Sequence, residues 1–102
     1  MRINKSEFIN QFAKENNMGV DLAEHVVNNF IWLIYDNIMK GNEVNLSGFG
    51  LFSVSHRSPR PGVHPRTGER IQISGYQIPK FKAGSYFKSL LRDKVPLSKK
   101  HL

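Results

Sequence analysis

Arg57-Ser58-Pro59-Arg60-Pro61-Gly62-Val63-His64-Pro65-Arg66-Thr67-Gly68-Glu69-Arg70 is the stretch on which the reading of the chain turns. It holds four arginines, three prolines, two glycines and one carboxylate, and Val63 is its one apolar aliphatic residue. Such a stretch cannot build a core. On either side the chain alternates polar and apolar residues as strands do, with Leu51, Phe52 and Val54 before it and Ile71 and Ile73 after it. The pattern predicts a long two-stranded arm with its turn near Pro65-Arg66-Thr67-Gly68. Gly68 can take the positive φ of a tight hairpin, and Pro65 presets φ on the way in.

The rest of the composition says what the arm is for. At 102 residues and 39% hydrophobic content the chain should form one small domain. The arm buries almost nothing, so dimerisation is the simple way to complete a core. The net charge is +7, unevenly placed. Residues 1–50 carry four Lys/Arg against six Asp/Glu, net −2, and residues 51–102 carry eleven against two, net +9. Concentrated positive charge is the footprint of a polyanion-binding face, and a ribbon of arginines suits a nucleic acid groove. There is no cysteine, so disulfides and thiolate-bound metals are excluded. No apolar run approaches the ~20 residues of a membrane helix, and the start lacks the apolar segment of a signal peptide. A cytoplasmic protein is expected.

Asn4 reads as a helix N-cap, with Glu7 three residues on and Ile3 and Phe8 spaced for a hydrophobic staple. The first helix should run to about Asn16 with Phe8, Ile9, Phe12 and Ala13 on one face. A second helix should start after Gly19. In it Leu22, Ala23, Val26, Val27, Phe30, Ile31, Ile34, Tyr35, Ile38 and Met39 make a wide apolar stripe, and Gly41 ends it. The stripe is too wide for one short helix and a small sheet to cover, so part of it should meet a second copy of the chain. Glu43 to Leu46 alternates, Ser47-Gly48-Phe49-Gly50 turns, and Leu51 to His56 leads into the arm. Arg70 to Ser74 returns from it. Gly75 to Pro79 reads as irregular or edge-like because Pro79 cannot donate to a ladder. Ala83-Gly84-Ser85 opens a last helix that Pro96 stops.

This order of elements resembles the HU and integration host factor family of bacterial histone-like proteins. The matching residues are Asn4-Lys5-Ser6-Glu7, Gly48-Phe49-Gly50-Leu51-Phe52, Arg57, Arg60 and Gly62 up the arm, and Pro65, Thr67 and Gly68 at its tip. Pro79, Phe81-Lys82, Gly84 and Lys88 match beyond it. The resemblance covers roughly residues 4–92. It implies an α+β fold in an intertwined dimer. A two-helix N-terminal half (1–42) is followed by a three-stranded antiparallel sheet extended into a long β-ribbon arm (43–82). A short C-terminal helix (83–95) and a basic tail (96–102) complete the chain, and residues 1–92 form the single DNA-binding domain.

The resemblance also implies roles. Pro65 would wedge between base pairs from the minor groove. Arg57, Arg60, Val63, His64, Arg66 and Arg70 would accompany it on the arm, and Lys5, Ser47, Lys80, Lys82, Gly84, Ser85 and Lys88 would contact phosphates from the body. Val26, Phe30, Ile34, Ile38, Phe49 and Phe52 would form the dimer interface. Double-stranded DNA and a second copy of the chain are the expected partners, with a heterodimer of site-selective type as the alternative. The function implied is bending and compaction of nucleoid DNA with little sequence specificity. One departure stands at the tip: the family usually carries Arg-Asn before this proline, and here Val63-His64 precede it. A protonated His64 would add a cation, so tighter binding at acid pH is expected.

Other classes fit less well. His25, His56, His64 and His101 are scattered, with no HExxH, no phosphate loop and no paired carboxylates beside a histidine, so neither an enzyme nor a metal or cofactor site is expected. No small-molecule substrate is expected either. An RNA-binding module would stack bases on aromatic rings, yet the aromatics here fall on helices and core strands. An interaction protein that has lost DNA binding would have no need of the arm's arginines and proline.

Overall fold

A computed structural model of the chain describes residues 1–94 and 96–99, arranged in two compact units, 1–36 and 37–102. Val95, Lys100, His101 and Leu102 lie outside the described residues, and with them the last three residues of the expected basic tail.

The first unit holds helix α1 (Lys5–Glu15) and most of helix α2 (Val20–Met39). Asn4 caps α1 as its sequence position predicts: its side-chain oxygen accepts from the Glu7 N–H at 2.9 Å. Both helices end in the same way. After α1 the Met18 N–H reaches back to the Ala13 carbonyl and the Asn17 N–H to Lys14, with Asn17 at φ 51°. After α2 the Asn42 N–H reaches Asn37 and the Gly41 N–H reaches Ile38, with Gly41 at φ 84°. These are Schellman closures, which satisfy carbonyls that a helix end leaves bare. Ile9, Ala13, Ala23 and Val27 are buried between the two helices, with Phe12, Met18 and Ile31 packed around them. None of the described residues has a large side chain that is fully buried. Leu22, Val26, Phe30, Trp32, Leu33 and Tyr35 stay exposed on α2, while Ile34 and Ile38 are half-buried.

The second unit contains strands β1 (Val44–Leu46), β2 (Gly50–Arg57), β3 (Arg60–Val63), β4 (Arg70–Ile73) and β5 (Tyr76–Ala83), then helix α3 (Ser85–Arg92). β1, β2 and β5 make an antiparallel sheet in that order, and β3 and β4 pair separately as the outer arm. Of two sequence expectations here, one is settled in favour of its edge-strand alternative and one changes. The segment from Gly75 to Pro79 is mostly strand: β5 runs from Tyr76 through Pro79, which faces Val54. Pro79 is tolerated because β5 is an edge, so its missing N–H costs no ladder bond on the open side. The last helix ends at Arg92, capped by Asp93, before the expected limit at residue 95.

The arm is one ribbon in a single register with a gap in its ladder. Counting outward from Arg57 opposite Tyr76, Ser58 faces Gly75, Pro59 faces Ser74, and pairing resumes with Arg60 opposite Ile73. Pro59 has no N–H to give, which is the physical cause of the interruption. At the base of the sheet Phe49, Phe52, Phe81 and Phe87 form an aromatic cluster. Phe49 stands 6.1 Å from Phe52, 5.4 Å from Phe81 and 5.6 Å from Phe87, and Phe52 stands 4.8 Å from Phe81, all between ring centroids. Phe49 and Phe52, expected at a dimer interface, therefore also pack against rings of their own chain. Phe49 keeps 41% of its surface exposed.

Candidate nucleic-acid interface

Strand pairing sorts the basic residues by face. Directly opposed residues share a face of a sheet, and neighbours along a strand alternate. Phe52 opposite Phe81 marks the aromatic face of the β2–β5 pair. Leu51 with Lys82, Ser53 with Lys80, and Arg57 with Tyr76 then lie on the other face. Lys80, Lys82 and Arg57 are all exposed. The sheet thus keeps its phenylalanine rings on one side and a line of cations, with Tyr76 at its end, on the other, and that line leads up to the arm. Sequence reading missed Tyr76, Ser53 and Ser55 as companions on this face. The alternation Tyr76, Ile78, Lys80, Lys82 carried the signal, but Pro79 within it left the segment open between irregular chain and edge strand.

On the outer arm Arg60 opposes Ile73 and Arg70 opposes Val63. Gly62 opposes Ile71 and lies under the Ile73 side chain, so this face of the arm is apolar beyond Arg60. The loop from His64 to Glu69 closes it. The His64 N–H donates to the Glu69 carbonyl at 2.8 Å and the Gly68 N–H to the His64 carbonyl at 2.9 Å, with Gly68 at φ 73°. Pro65 and Arg66 are exposed at the crest of this turn. The predicted turn position holds, and the structure brings Arg60, Val63, His64, Pro65, Arg66 and Arg70 together on the outer arm.

The expected phosphate contacts near α3 need revision. The Gly84 N–H is taken up by the Phe49 carbonyl at 2.8 Å and the Phe87 N–H by the Gly48 carbonyl at 3.1 Å. Gly84 is therefore a packing residue rather than an anion donor, which leaves Ser85 to represent the helix start. A Cβ on Gly84 would lie 2.7 Å from the Gly48 carbonyl oxygen and 2.8 Å from its carbon. Both are backbone atoms that cannot swing aside. Gly84→Ala is expected to destabilise the protein by about 1–3 kcal/mol, as overpacking does; thermal unfolding beside the parent protein checks this, and an unchanged midpoint would refute the contact. Ser47 and Lys88 are exposed near this junction, while Lys5 opens α1 in the other unit.

An arm of exposed arginines tipped by a proline, rising from the cationic face of a small sheet, defines a β-ribbon DNA-binding protein. The model of the family described as bacterial DNA-binding protein matches residues 3–92. The chain is 39% identical over 90 residues to DNA-binding protein HU-1 of Halalkalibacterium halodurans, covering 88% of this chain and all of that protein. It is 36% identical over 95 residues to integration host factor subunit beta of Colwellia psychrerythraea, covering 92% of this chain and 96% of the other. Among solved structures it resembles HU from an Anabaena HU–DNA cocrystal. The TM-score is 0.79 at 30% identity, over 85% of this chain and 95% of that one. The chain belongs to the bacterial DNA-binding protein family of HU and integration host factor, and it is an architectural DNA-binding protein.

Proposed function

We propose that two copies of this chain grip one DNA duplex between their arms. The tips enter the minor groove, and each Pro65 wedges into a base step and bends the helix. The observation that carries this reading is Pro65 exposed at the crest of a turn, with Arg66 beside it, Arg70 at the start of β4 and Arg60 farther down β3. A rigid apolar ring can partly unstack a base step, and the resulting kink lets more DNA meet the cationic sheet face. A proline ring carries no donor to read a base edge, so selection rests on how easily the duplex deforms, and specificity is low. Arg57, Lys80, Lys82 and Lys88 take phosphates on the body, Ser47 and Ser85 supply polar contacts there, and Lys5 takes a phosphate from α1. The exposed Val26 and Phe30 on α2, with Ile34 and Ile38 farther along it, support a twofold body of two identical chains. The DNA-bound state of the Anabaena relative fits the same picture. The protein binds rather than catalyses. It works on nucleoid DNA in the cytoplasm, and none of the described helices is long and apolar enough to cross a membrane.

The test is end-to-end FRET on a labelled duplex together with the mass of the protein in solution. Pro65→Ala is expected to keep most of its phosphate-driven affinity and to lose most of the bend. The free protein should have twice the chain mass of 11.7 kDa. A monomer that leaves the duplex straight at low ionic strength would overturn the proposal, and competition with duplex RNA and single strands distinguishes an RNA-binding role.

A further inference from the structure

The His64 ring is folded into the tip turn. It is half-buried, while every residue from Pro65 to Glu69 is exposed. Its Nδ1 accepts the Arg66 N–H at 3.2 Å and the Thr67 N–H at 3.4 Å. The Glu69 N–H in turn donates to Thr67 Oγ1 at 3.3 Å. A side-chain acceptor three bonds from Cα, bonded to N–H groups two and three residues on, is the arrangement that Asn or Asp makes in an Asx turn. Pro65 lies between the ring and its two donors, so the cap holds the segment that carries it.

We propose that His64 is a positioning residue for DNA bending: its unprotonated Nδ1 fixes the turn that presents Pro65, and protonation of the ring releases that turn. The inference rests on Pro65 being the wedge. A neutral imidazole offers one acceptor nitrogen, whereas an imidazolium offers only donors. A proton on Nδ1 therefore confronts two backbone N–H groups and both bonds are lost. The charged groups around the ring are Arg66, Glu69 and Arg70 in the loop and at the start of β4, and Arg60 farther down β3. Histidine is the side chain that changes charge between about pH 5 and 8. The added charge favours phosphate contact, so acidification separates two properties: bending declines while binding persists. The sequence alone led to tighter binding at acid pH and not to the loss of bend.

FRET bending and affinity measured from about pH 8 to about pH 5 decide the matter, since this window spans histidine titration. The parent protein is expected to lose bend towards the level of His64→Ala as pH falls. His64→Asn keeps an acceptor oxygen in the same place without titrating, so it should bend DNA at both ends of the range. His25, His56 and His101 remain in every variant and drop out of the comparison. His64→Asn sharing the parent's pH profile, or His64→Ala bending like the parent near pH 8, would overturn the proposal. A DNA-free measurement separates this from failure of the wedge. In ¹⁵N NMR Nδ1 should be the unprotonated nitrogen of the neutral ring, and the Arg66 and Thr67 amides should shift with the ring's titration. The opposite tautomer overturns the cap. Pro65→Ala bending DNA like the parent overturns the wedge, and the bending role of His64 with it, while the NMR result still judges the cap.

Discussion

Raising monovalent salt from about 50 to about 200 mM is expected to weaken DNA binding by roughly a thousandfold or more. Each chain brings Arg57, Arg60, Arg66, Arg70, Lys80, Lys82 and Lys88 to the arm, the sheet face and α3, all exposed. Every phosphate they neutralise releases condensed counterions, and that release becomes less favourable as bulk salt rises. The logarithm of the binding constant should fall linearly against the logarithm of salt concentration, with a slope of about −0.9 for each phosphate contacted. Replacing Lys80 and Lys82 by Gln should flatten the line, whereas Pro65→Ala should leave its slope nearly unchanged. The two kinds of contact thus separate: cations set the slope and the proline sets the bend. Titrations at several salt concentrations give the answer. A slope shallower than about −2 would mean that the cationic face does not lie on the phosphates.

Phe49→Ala is expected to have the largest effect on stability. Phe49 contacts Phe52, Phe81 and Phe87 and so joins β2, β5 and α3. It also lines an apolar recess of about 300 Å³ with Tyr86, Phe87, Leu90 and Leu97. Removing the ring deletes three ring contacts and enlarges that recess. Phe→Ala at a core site costs about 3–5 kcal/mol, and the partial exposure of Phe49 places it near the lower end. Total stability for a domain of this size is only about 5–15 kcal/mol. For such a domain a loss of about 3 kcal/mol lowers the unfolding midpoint by on the order of 15 °C. Calorimetry at fixed protein concentration reads this directly. A drop of only a degree or two would show that the rings touch without supporting one another.

Much of this architecture was legible because local chemistry fixed it. Asn4 caps α1 and Gly41 closes α2 through bonds within a few residues of each, and such bonds depend on residue type and spacing. The alternation of Leu51 to Val54 gave the strand, and the proline and arginine content gave the arm. The gaps arise where a residue's role depends on what lies against it from elsewhere in the chain. Pro79 left its segment open between irregular chain and edge strand, because a place on an edge is a property of the sheet. Gly84 looked like an anion donor because its N–H is consumed by Phe49, thirty-five residues earlier. His64 looked like a spare cation because only the folded loop shows that its Nδ1 already accepts two N–H groups. At the tip, then, residue composition pointed to a polyanion, and geometry shows how the His64 ring is bonded into the turn that carries Pro65.

The thin interior between α1 and α2 has a consequence of its own. With Ile9, Ala13, Ala23 and Val27 as its buried apolar residues, this half of the chain gains little from folding alone. In the proposed dimer a second copy covers the remaining apolar surface, folding becomes a second-order event, and the melting temperature is expected to rise with the amount of protein present. Dilution would then act as a denaturant, so the level of synthesis helps to decide whether the molecule has any shape at all.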